Sequence, residues 1–329
     1  MQPAESPLDG GALLGRARRA LRSGGLVGIL SELPVGMAAG GAGAEELGRL
    51  AARLQDALVR RMATLHRRER GPPPAPWAWL VLGSAGRREQ PLPTDQDHAL
   101  VVAGDPADAW YASLAERVEG GLRQAGLPPC PGGMTAQRWR ARIGDWCDLV
   151  GGALEDPEPA AILLAAALAD GRRVAGPLDP APLRLALSRA PAHPRFLREI
   201  FRASLAFFPP STMRLRLGGT LELGREALAP LVFLARGYGL AAGTAATGTC
   251  DRLRAAEAAG LLGGKLAFAS AEAFRFLAAL RLRTALEAEA PTGRVALRAL
   301  SAEDRRGLLS ALAAARRLRA QAALRFGVE

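Results

Sequence analysis

The sequence of 329 residues is poor in lysine, histidine, aromatic residues and cysteine. Lys265 is the only lysine, and Phe, Trp and Tyr together make up 5% of the chain. The three cysteines, Cys130, Cys147 and Cys250, are widely spaced and form no CxxC pair. This spacing indicates neither a structural zinc site nor a disulfide framework, and it fits a reduced, cytoplasmic setting.

Long hydrophobic runs are also missing. The longest apolar run, residues 160–169, has about half the length that a membrane-spanning helix needs. The N-terminal residues show neither the basic segment nor the apolar segment of a signal peptide. The sequence therefore predicts a soluble protein with no membrane partner.

Alanine, leucine and arginine dominate what is present, and all three favour helices. The formal net charge is +11, which is compatible with a polyanionic partner. The arginines are scattered singly and in pairs, however, as on solvated helix faces, whereas nucleic-acid-binding proteins usually cluster their charge. A nucleoside triphosphate suits this charge, and nucleic acid is the less favoured partner.

The periodicity of apolar residues and the positions of proline and glycine predict an α+β protein in three parts. Residues 1–72 form a helical N-terminal arm that ends at a proline run, 73–180 form a small mixed-sheet domain, and 181–329 form a helical bundle. Further helices are predicted near 107–125, 137–150, 158–168, 180–189, 194–207, 226–242, 249–260, 265–288 and 302–326. Ser301 and Asp304 form a capping box at the last of these.

Two short apolar segments, 77–82 and 97–102, have the character of buried strands. The first ends at Gly83 and Ser84, where a glycine lets backbone amides and a hydroxyl approach a phosphate closely. Asp95 and Asp97 stand at the start of the second. Side chains two apart on a strand share one face, so both carboxylates point the same way and Gln96 points opposite.

This arrangement predicts a metal-dependent phosphate chemistry. Two adjacent carboxylates repel each other unless a cation lies between them, and Mg²⁺ prefers one or two carboxylates together with substrate phosphates. Taken alone, Asp95 and Asp97 could simply flank a turn. The ordered combination of strand, Gly-Ser, spacer, Asp-x-Asp and strand is more specific, and it is neither a Walker loop nor a GxGxxG fingerprint.

Residues 73–102 closely resemble the nucleotidyltransferases related to the PII-protein uridylyltransferase, within the polymerase-beta-like superfamily. Relatives of this kind are often fused to CBS and cyclic-nucleotide-binding modules. The resemblance extends over most of 45–329, and it implies a nucleotidyltransferase domain followed by a helical substrate-binding domain. Segments 130–134, 235–240 and 249–253 look like parts of that helical half.

The resemblance implies roles for individual residues. Asp95 and Asp97 bind Mg²⁺ or Mn²⁺ and catalyse transfer, with an NTP as substrate. Arg87 and Glu89 either brace the loop or contact phosphate. The nucleotide-binding set is Gly83, Ser84, Arg87, Glu89 and Thr94.

A third catalytic carboxylate and metal ligand is expected from a later strand, and the matching position is Asp170. The family normally has an aromatic residue before this aspartate, where this chain has Ala169. Periodicity instead describes Asp170 as a helix C-cap followed by Gly171.

Other polar residues leave alternatives open. The glycine-rich loop at Cys130 lines the acceptor site or is a plain connection, and Cys130 has no basic neighbour that would make it a nucleophile. His98 is expected to point away from the metal face. Glu222 and Arg225 either reach the cleft or form an intramolecular ion pair.

The leading functional hypothesis is an enzyme that transfers NMP from NTP to an acceptor hydroxyl, with a PII-like signalling protein as the acceptor that kinship suggests. A regulatory module that senses a nucleotide without turnover is the alternative. A nucleic-acid-directed transferase is the third.

Overall fold

The computed structural model describes residues 43–90, 95–209, 219–287 and 293–328. They form two compact units. Of the described residues, the first unit contains those from Gly43 to Ile143 together with Gly171–Pro180, and the second contains Gly144–Asp170 and those from Ala181 onward. The α+β class is confirmed, since a small mixed sheet lies in the first unit and most of the second is helical.

The compact units divide the chain differently from the sequence-based domains in two places, and the domain boundaries stay a prediction. Residues 144–170 belong to the second unit, although the prediction placed them with the nucleotidyltransferase domain. The helix at 44–70, predicted as part of a separate arm, belongs to the first unit. The segment Pro159–Ala169 carries no charged residue. Its residues Ile162, Leu164 and Leu168 are buried, whereas Leu163 is 66% exposed, and the sequence does not show which helices it packs on.

The sheet of the first unit has four strands in the order β3-β2-β1-β4. They are β1 (Trp77–Val81), β2 (His98–Val102), β3 (Arg140–Arg142) and β4 (Arg172–Ala175). Strand β1 is antiparallel to β2 and to β4, and β2 is parallel to β3. Every residue of β1 and β2 is buried, which explains why both are continuous apolar runs.

Three helices complete the described part of this unit: α1 (Ala44–Arg70), α2 (Gly83–Arg87) and α3 (Ala109–Gln124). Helix α1 packs on α3 and on β4 with the leucine face that its periodicity predicts. It ends at Gly71, whose φ of 79° stops the helix before the proline run.

The second unit is built mainly of helices. A short antiparallel pair, β5 (Thr220–Glu222) and β6 (Arg294–Ala296), and a π-helical turn at Leu223–Leu228 lie among them. The helices are α4 (Ile143–Glu155), α5 (Pro159–Ala169), α6 (Ala181–Ser188), α7 (Pro194–Leu205), α8 (Ala229–Ala241), α9 (Thr249–Ala258), α10 (Gly264–Glu287) and α11 (Ala302–Phe326), the first residue of α4 falling in the first unit.

Local predictions in the helical parts are largely confirmed. The Ser301 hydroxyl accepts a hydrogen bond from the Asp304 amide at 3.0 Å and so caps α11. The helix predicted at 137–150 begins only at Ile143, because strand β3 precedes it. Among the described helices, none combines the length and the apolar character needed to cross a bilayer.

Candidate active site

The turn after β1 lies directly against the start of β2. The Leu82 amide donates to the Asp97 carbonyl at 2.9 Å, which extends the pairing of the two strands by one residue. Gly83 follows with a φ of +53°, in the left-handed region. A Cβ built on Gly83 would overlap Asp97 Oδ2 and lie 3.1 Å from Asp97 Cγ. Only glycine therefore lets this carboxylate lie against the backbone of the turn.

Asp95 and Asp97 lie on one side of the chain that enters β2, and Gln96 lies on the other. Gln96 is 2% exposed, and its side-chain amide donates to the Leu127 carbonyl at 2.5 Å. Both aspartates are half-buried, and their carboxylates are grouped with the thiol of Cys130, with one ligand atom from each within 4.8 Å of the others. The structure thus brings the two predicted metal-binding carboxylates together.

Cys130 is a neighbour of this pair that the sequence did not identify. Its loop runs beside the start of β2, where the His98 amide donates to the Met134 carbonyl at 3.0 Å. The thiol donates a hydrogen bond to Asp97, and burial together with this carboxylate raises the pKa of Cys130 to about 11. A thiol that stays protonated at neutral pH is a hydrogen-bond donor to Asp97 and not a nucleophile.

These side chains fit a hard divalent cation. Mg²⁺ and Mn²⁺ prefer oxygen ligands, and a pair of carboxylates with room for substrate phosphates is a common protein contribution to such sites. The close contact of Asp97 with Gly83 places the carboxylate where the backbone turn begins. A metal ion held by the carboxylates can therefore lie next to a phosphate bound at the turn.

Arg87 and Glu89 brace the loop after the turn. Arg87 Nε lies 2.9 Å from Glu89 Oε2, and the two side chains are only 10% and 14% exposed. Between them, Arg88 has a φ of 59°, and the Glu89 amide donates to the Ser84 carbonyl at 2.9 Å. This contact fits the bracing role, and contact with phosphate stays a prediction. Thr94, the other residue predicted to bind nucleotide, lies outside the described residues.

Comparison with known protein families gives two matches that together span most of the chain. A model described as "Putative nucleotidyltransferase DUF294" matches residues 30–160, and one described as "Putative nucleotidyltransferase substrate binding domain" matches residues 194–326. The chain belongs to the DUF294 family. A search of curated proteins found no match.

The first of these family matches contains the whole Gly83, Asp95 and Asp97 arrangement, whereas Asp170 lies between the two matches. In the structure Asp170 is 0% exposed and is the C-cap of α5, as periodicity indicated. Its Oδ2 accepts from Arg236 at 2.5 Å and its Oδ1 from Arg252 at 2.6 Å. Asp170 is absent from the group formed by Asp95, Asp97 and Cys130.

The two arginines give the Asp170 carboxylate charged partners within the second unit. Arg252 also donates to the carbonyls of Ala169 and Ala246, at 2.7 and 2.9 Å. Gly239 of α8 leaves space for it, since a Cβ there would come within 2.8 Å of the arginine side chain. A carboxylate that two guanidinium groups already neutralise has little need of a cation. Asp170 therefore takes part in a buried ion network of the second unit, and its role as a third metal ligand stays a prediction.

Glu222 also has a local partner. Its carboxylate accepts from the amides of Gly224 and Arg225, at 2.9 and 2.5 Å, and so caps the π-helical turn. This contact is intramolecular, as one alternative held, but it involves the backbone of Arg225 and not its guanidinium. Both residues line a cavity of about 780 Å³ in the second unit, together with Phe207, Phe208, Thr220, Glu226 and Arg294.

His98 points into the core, as expected. It is 0% exposed and burial lowers its pKa to about 3, so the imidazole stays neutral. Its Nε2 lies 3.1 Å from the side-chain amide nitrogen of Gln55, and the side chain of Gln55 is bonded in turn to Gln90. A buried polar chain therefore joins helix α1 to the strand that carries Asp97. This polar chain could not be predicted from the sequence, because its residues are far apart along it.

Gly83→Ala tests the close contact between the turn and Asp97. The added methyl group would displace the Asp97 carboxylate, and alanine at this φ costs about 1–2 kcal/mol. We expect Mn²⁺ affinity, measured by electron paramagnetic resonance, to fall about 10- to 100-fold, as for other changes that misplace a metal ligand. Gly120→Ala on α3 is the control, since a Cβ there meets nothing within 4 Å. Equal Mn²⁺ affinity in both variants would contradict the role assigned to Gly83.

Proposed function

We propose that this protein is a Mg²⁺- or Mn²⁺-dependent nucleotidyltransferase that moves NMP from an NTP to an acceptor hydroxyl. The observation that carries the proposal is the pairing of Asp95 and Asp97, whose ligand atoms lie within 4.8 Å of each other, with Asp97 against the Gly83 turn. Membership of the nucleotidyltransferase family supports the same chemistry.

In this proposal Gly83 and Ser84 receive the triphosphate at the end of β1. The backbone of the turn is already ordered, because the Gly86 amide donates to the Leu82 carbonyl at 2.8 Å and the Glu89 amide to the Ser84 carbonyl. A divalent ion held by Asp95 and Asp97 would neutralise charge on the phosphates and on the leaving pyrophosphate. Arg87 and Glu89 keep the following loop in shape.

The acceptor oxygen attacks the α-phosphorus, the bond to the bridging oxygen breaks, and the hydroxyl proton must be removed. His98 cannot take it, since the imidazole is buried with its pKa near 3 and faces the core. Cys130 cannot take it either, because its thiol is already protonated. Within this cluster the carboxylates of Asp95 and Asp97 remain, and we assign the proton-accepting role to this pair.

The acceptor that the family resemblance favours is a hydroxyl on a PII-like signalling protein. The second matched family model is described as a substrate-binding domain, which supports a separate region for the acceptor. Within that region, the cavity lined by Phe207, Glu222 and Arg225 offers aromatic and charged contacts to a protein surface. We propose this cavity as the place where acceptor contacts begin.

The decisive experiment is calorimetric titration of the wild-type protein with each NTP, in Mg²⁺ and again in EDTA. We expect one NTP to bind with an affinity that depends on the metal. The selected NTP, labelled at its α-phosphate, is then incubated with a PII-like protein and, separately, with RNA.

Label on the protein supports the proposed transfer, and label on RNA would replace the acceptor with a nucleic acid. Binding of an NTP without label on either acceptor, and without pyrophosphate release, would favour the nucleotide-sensing alternative. Absence of metal-dependent binding would remove the catalytic proposal.

A further inference from the structure

Helix α1 presents two adjacent polar residues to the interior of the first unit. Gln55 and Asp56 are only 1% and 6% exposed, although long helices on a domain surface usually bury apolar residues. Gln55 belongs to the polar chain that ends at His98. Asp56 takes part in a different contact, with Arg172 of strand β4.

Asp56 forms a two-point ion pair with Arg172, the first residue of β4. Arg172 Nη1 lies 2.6 Å from Asp56 Oδ2, and Arg172 Nη2 lies 2.9 Å from Asp56 Oδ1. The side chains are 16% and 8% exposed, so solvent screens the pair little. Parallel hydrogen bonds between a guanidinium and a carboxylate fix the plane of the arginine as well as its distance.

The same guanidinium reaches the nucleotide-binding turn. Arg172 Nη2 donates to the Ala85 carbonyl at 3.1 Å, and Ala85 directly follows Gly83 and Ser84. Strand pairing brings the arginine there, since Arg172 lies opposite Val81, at the end of β1. Asp56 therefore orients Arg172, and Arg172 holds the first turn of α2.

Helix α1 also contacts the far end of this loop. A Cβ on Gly48 would come within 3.0 Å of the Arg88 carbonyl and 3.3 Å of the Gln90 amide, so the helix and the loop touch backbone to backbone. Gln55 is bonded to the side chain of Gln90. Residues 83–90 are thus held by α1 at one end and through Arg172 at the other.

We propose that Asp56 and Arg172 are positioning residues for the nucleotide site, and that they keep the Gly83–Ser84 turn in the conformation that receives a triphosphate. The proposal rests on the proposed function, because it names the residues that prepare that site. An ion pair buried to this extent contributes little net stability, since desolvation offsets the attraction. The pair instead fixes the position of the Arg172 guanidinium, which holds the turn.

The experiment compares Asp56→Asn, Arg172→Gln and Arg172→Lys with the wild type. Lysine keeps the charge but cannot bond to both Asp56 oxygens and Ala85 at once. Glu69→Gln is the matched control, because Glu69 also lies on α1 and pairs at two points with an arginine, Arg117, which belongs to α3.

The first readout needs no nucleotide. Hydrogen–deuterium exchange follows the amides of Gly86, Arg88 and Glu89, which are bonded within the loop in the wild type. We expect these amides to exchange about tenfold faster or more in Asp56→Asn and Arg172→Gln, less so in Arg172→Lys, and at the wild-type rate in Glu69→Gln. Unchanged exchange in Arg172→Gln would overturn the proposal. If Asp56→Asn fails to fold, Arg172→Lys carries the test.

The second readout separates nucleotide from metal. Binding of Mn²⁺ alone should stay within about threefold of the wild type, because Asp95 and Asp97 precede β2 and Arg172 belongs to β4, whereas NTP affinity should fall about 10- to 100-fold. Equal loss of both would mean that the pair supports only the general fold. If the wild type binds no NTP, the proposed function fails, while the exchange result still decides whether the pair holds the turn.

Discussion

Replacing Asp95 and Asp97 together with asparagine should abolish metal-dependent NTP binding and lower nucleotidyl transfer by about three orders of magnitude or more. Asparagine preserves the shape of both side chains and removes two neighbouring negative charges, of which that of Asp97 lies against Gly83. Charge stabilisation by a bound metal contributes several kcal/mol to such a reaction, and each 1.36 kcal/mol is a factor of ten in rate. The measurements are calorimetric titration with the selected NTP and transfer of its labelled NMP.

Asp105→Asn is the control for this variant. Asp105 is an exposed acid of the same unit whose carboxylate accepts a local hydrogen bond from the Ala107 amide at 3.0 Å. We expect it to bind and transfer as the wild type does. Retention of metal-dependent binding by the doubly substituted protein would exclude Asp95 and Asp97 as ligands.

Cys130→Ser extends the comparison to the third member of the group. Serine keeps a hydrogen-bond donor towards Asp97 and removes the sulfur. A hard cation has no need of the sulfur, so transfer should stay within about fivefold of the wild type. A loss as large as that of the aspartate variant would show that the thiol is itself a ligand or a reacting group.

The central geometry of the candidate site could be predicted from the sequence because it is local. Gly83 follows β1 and Asp97 precedes β2, and these two strands follow one another along the chain and pair directly. Alternation along a strand then fixes which way Asp95, Gln96 and Asp97 point. Buried strands and helix caps are likewise encoded within a few residues.

The supporting contacts could not be predicted, because they join distant parts of the chain. Asp56 and Arg172 are 116 residues apart, and Gln55 and His98 are 43 apart. In the sequence, Asp56 is one acid among many on an amphipathic helix. Cys130 lies in a glycine-rich loop, and its neighbours along the sequence do not indicate which side chain its thiol contacts. Only the pairing of that loop beside the start of β2 brings its thiol to Asp97.

The boundary between the two units shows that the packing partners of whole helices could not be predicted from the sequence either. Helix α5 is apolar on all sides, which predicts burial but not the partner that buries it. In the structure it packs on α7 and α8 of the second unit. Asp170 follows α5 directly, so the family-based assignment and the C-cap assignment compete at one residue. The arginines that settle its environment lie 66 and 82 residues further on.

Asp170→Asn should lower the free energy of unfolding by about 3–5 kcal/mol, the second large effect that we expect. The substitution leaves Arg236 and Arg252 charged, nearly buried and without their shared carboxylate, and an uncompensated buried charge has a cost of this size. Urea unfolding followed by circular dichroism measures the change. Asp156→Asn is the control, because its pair with Arg195 is 77% and 74% exposed and should contribute about 1 kcal/mol or less.

A second variant separates the ion network from a metal-binding role for Asp170. Adding Arg236→Gln to Asp170→Asn removes one of the two unpaired charges, so the double variant should be more stable than Asp170→Asn alone. If Asp170 were a metal ligand, Asp170→Asn would instead stabilise the metal-free protein, because removing the carboxylate removes its repulsion of the other ligand carboxylates. If the free energy of unfolding of Asp170→Asn lay within about 1 kcal/mol of the wild-type value and the variant lost Mn²⁺ affinity, Asp170 would be a ligand of the metal site. Loss of stability with unchanged Mn²⁺ binding would leave Asp95 and Asp97 as the carboxylates of that site.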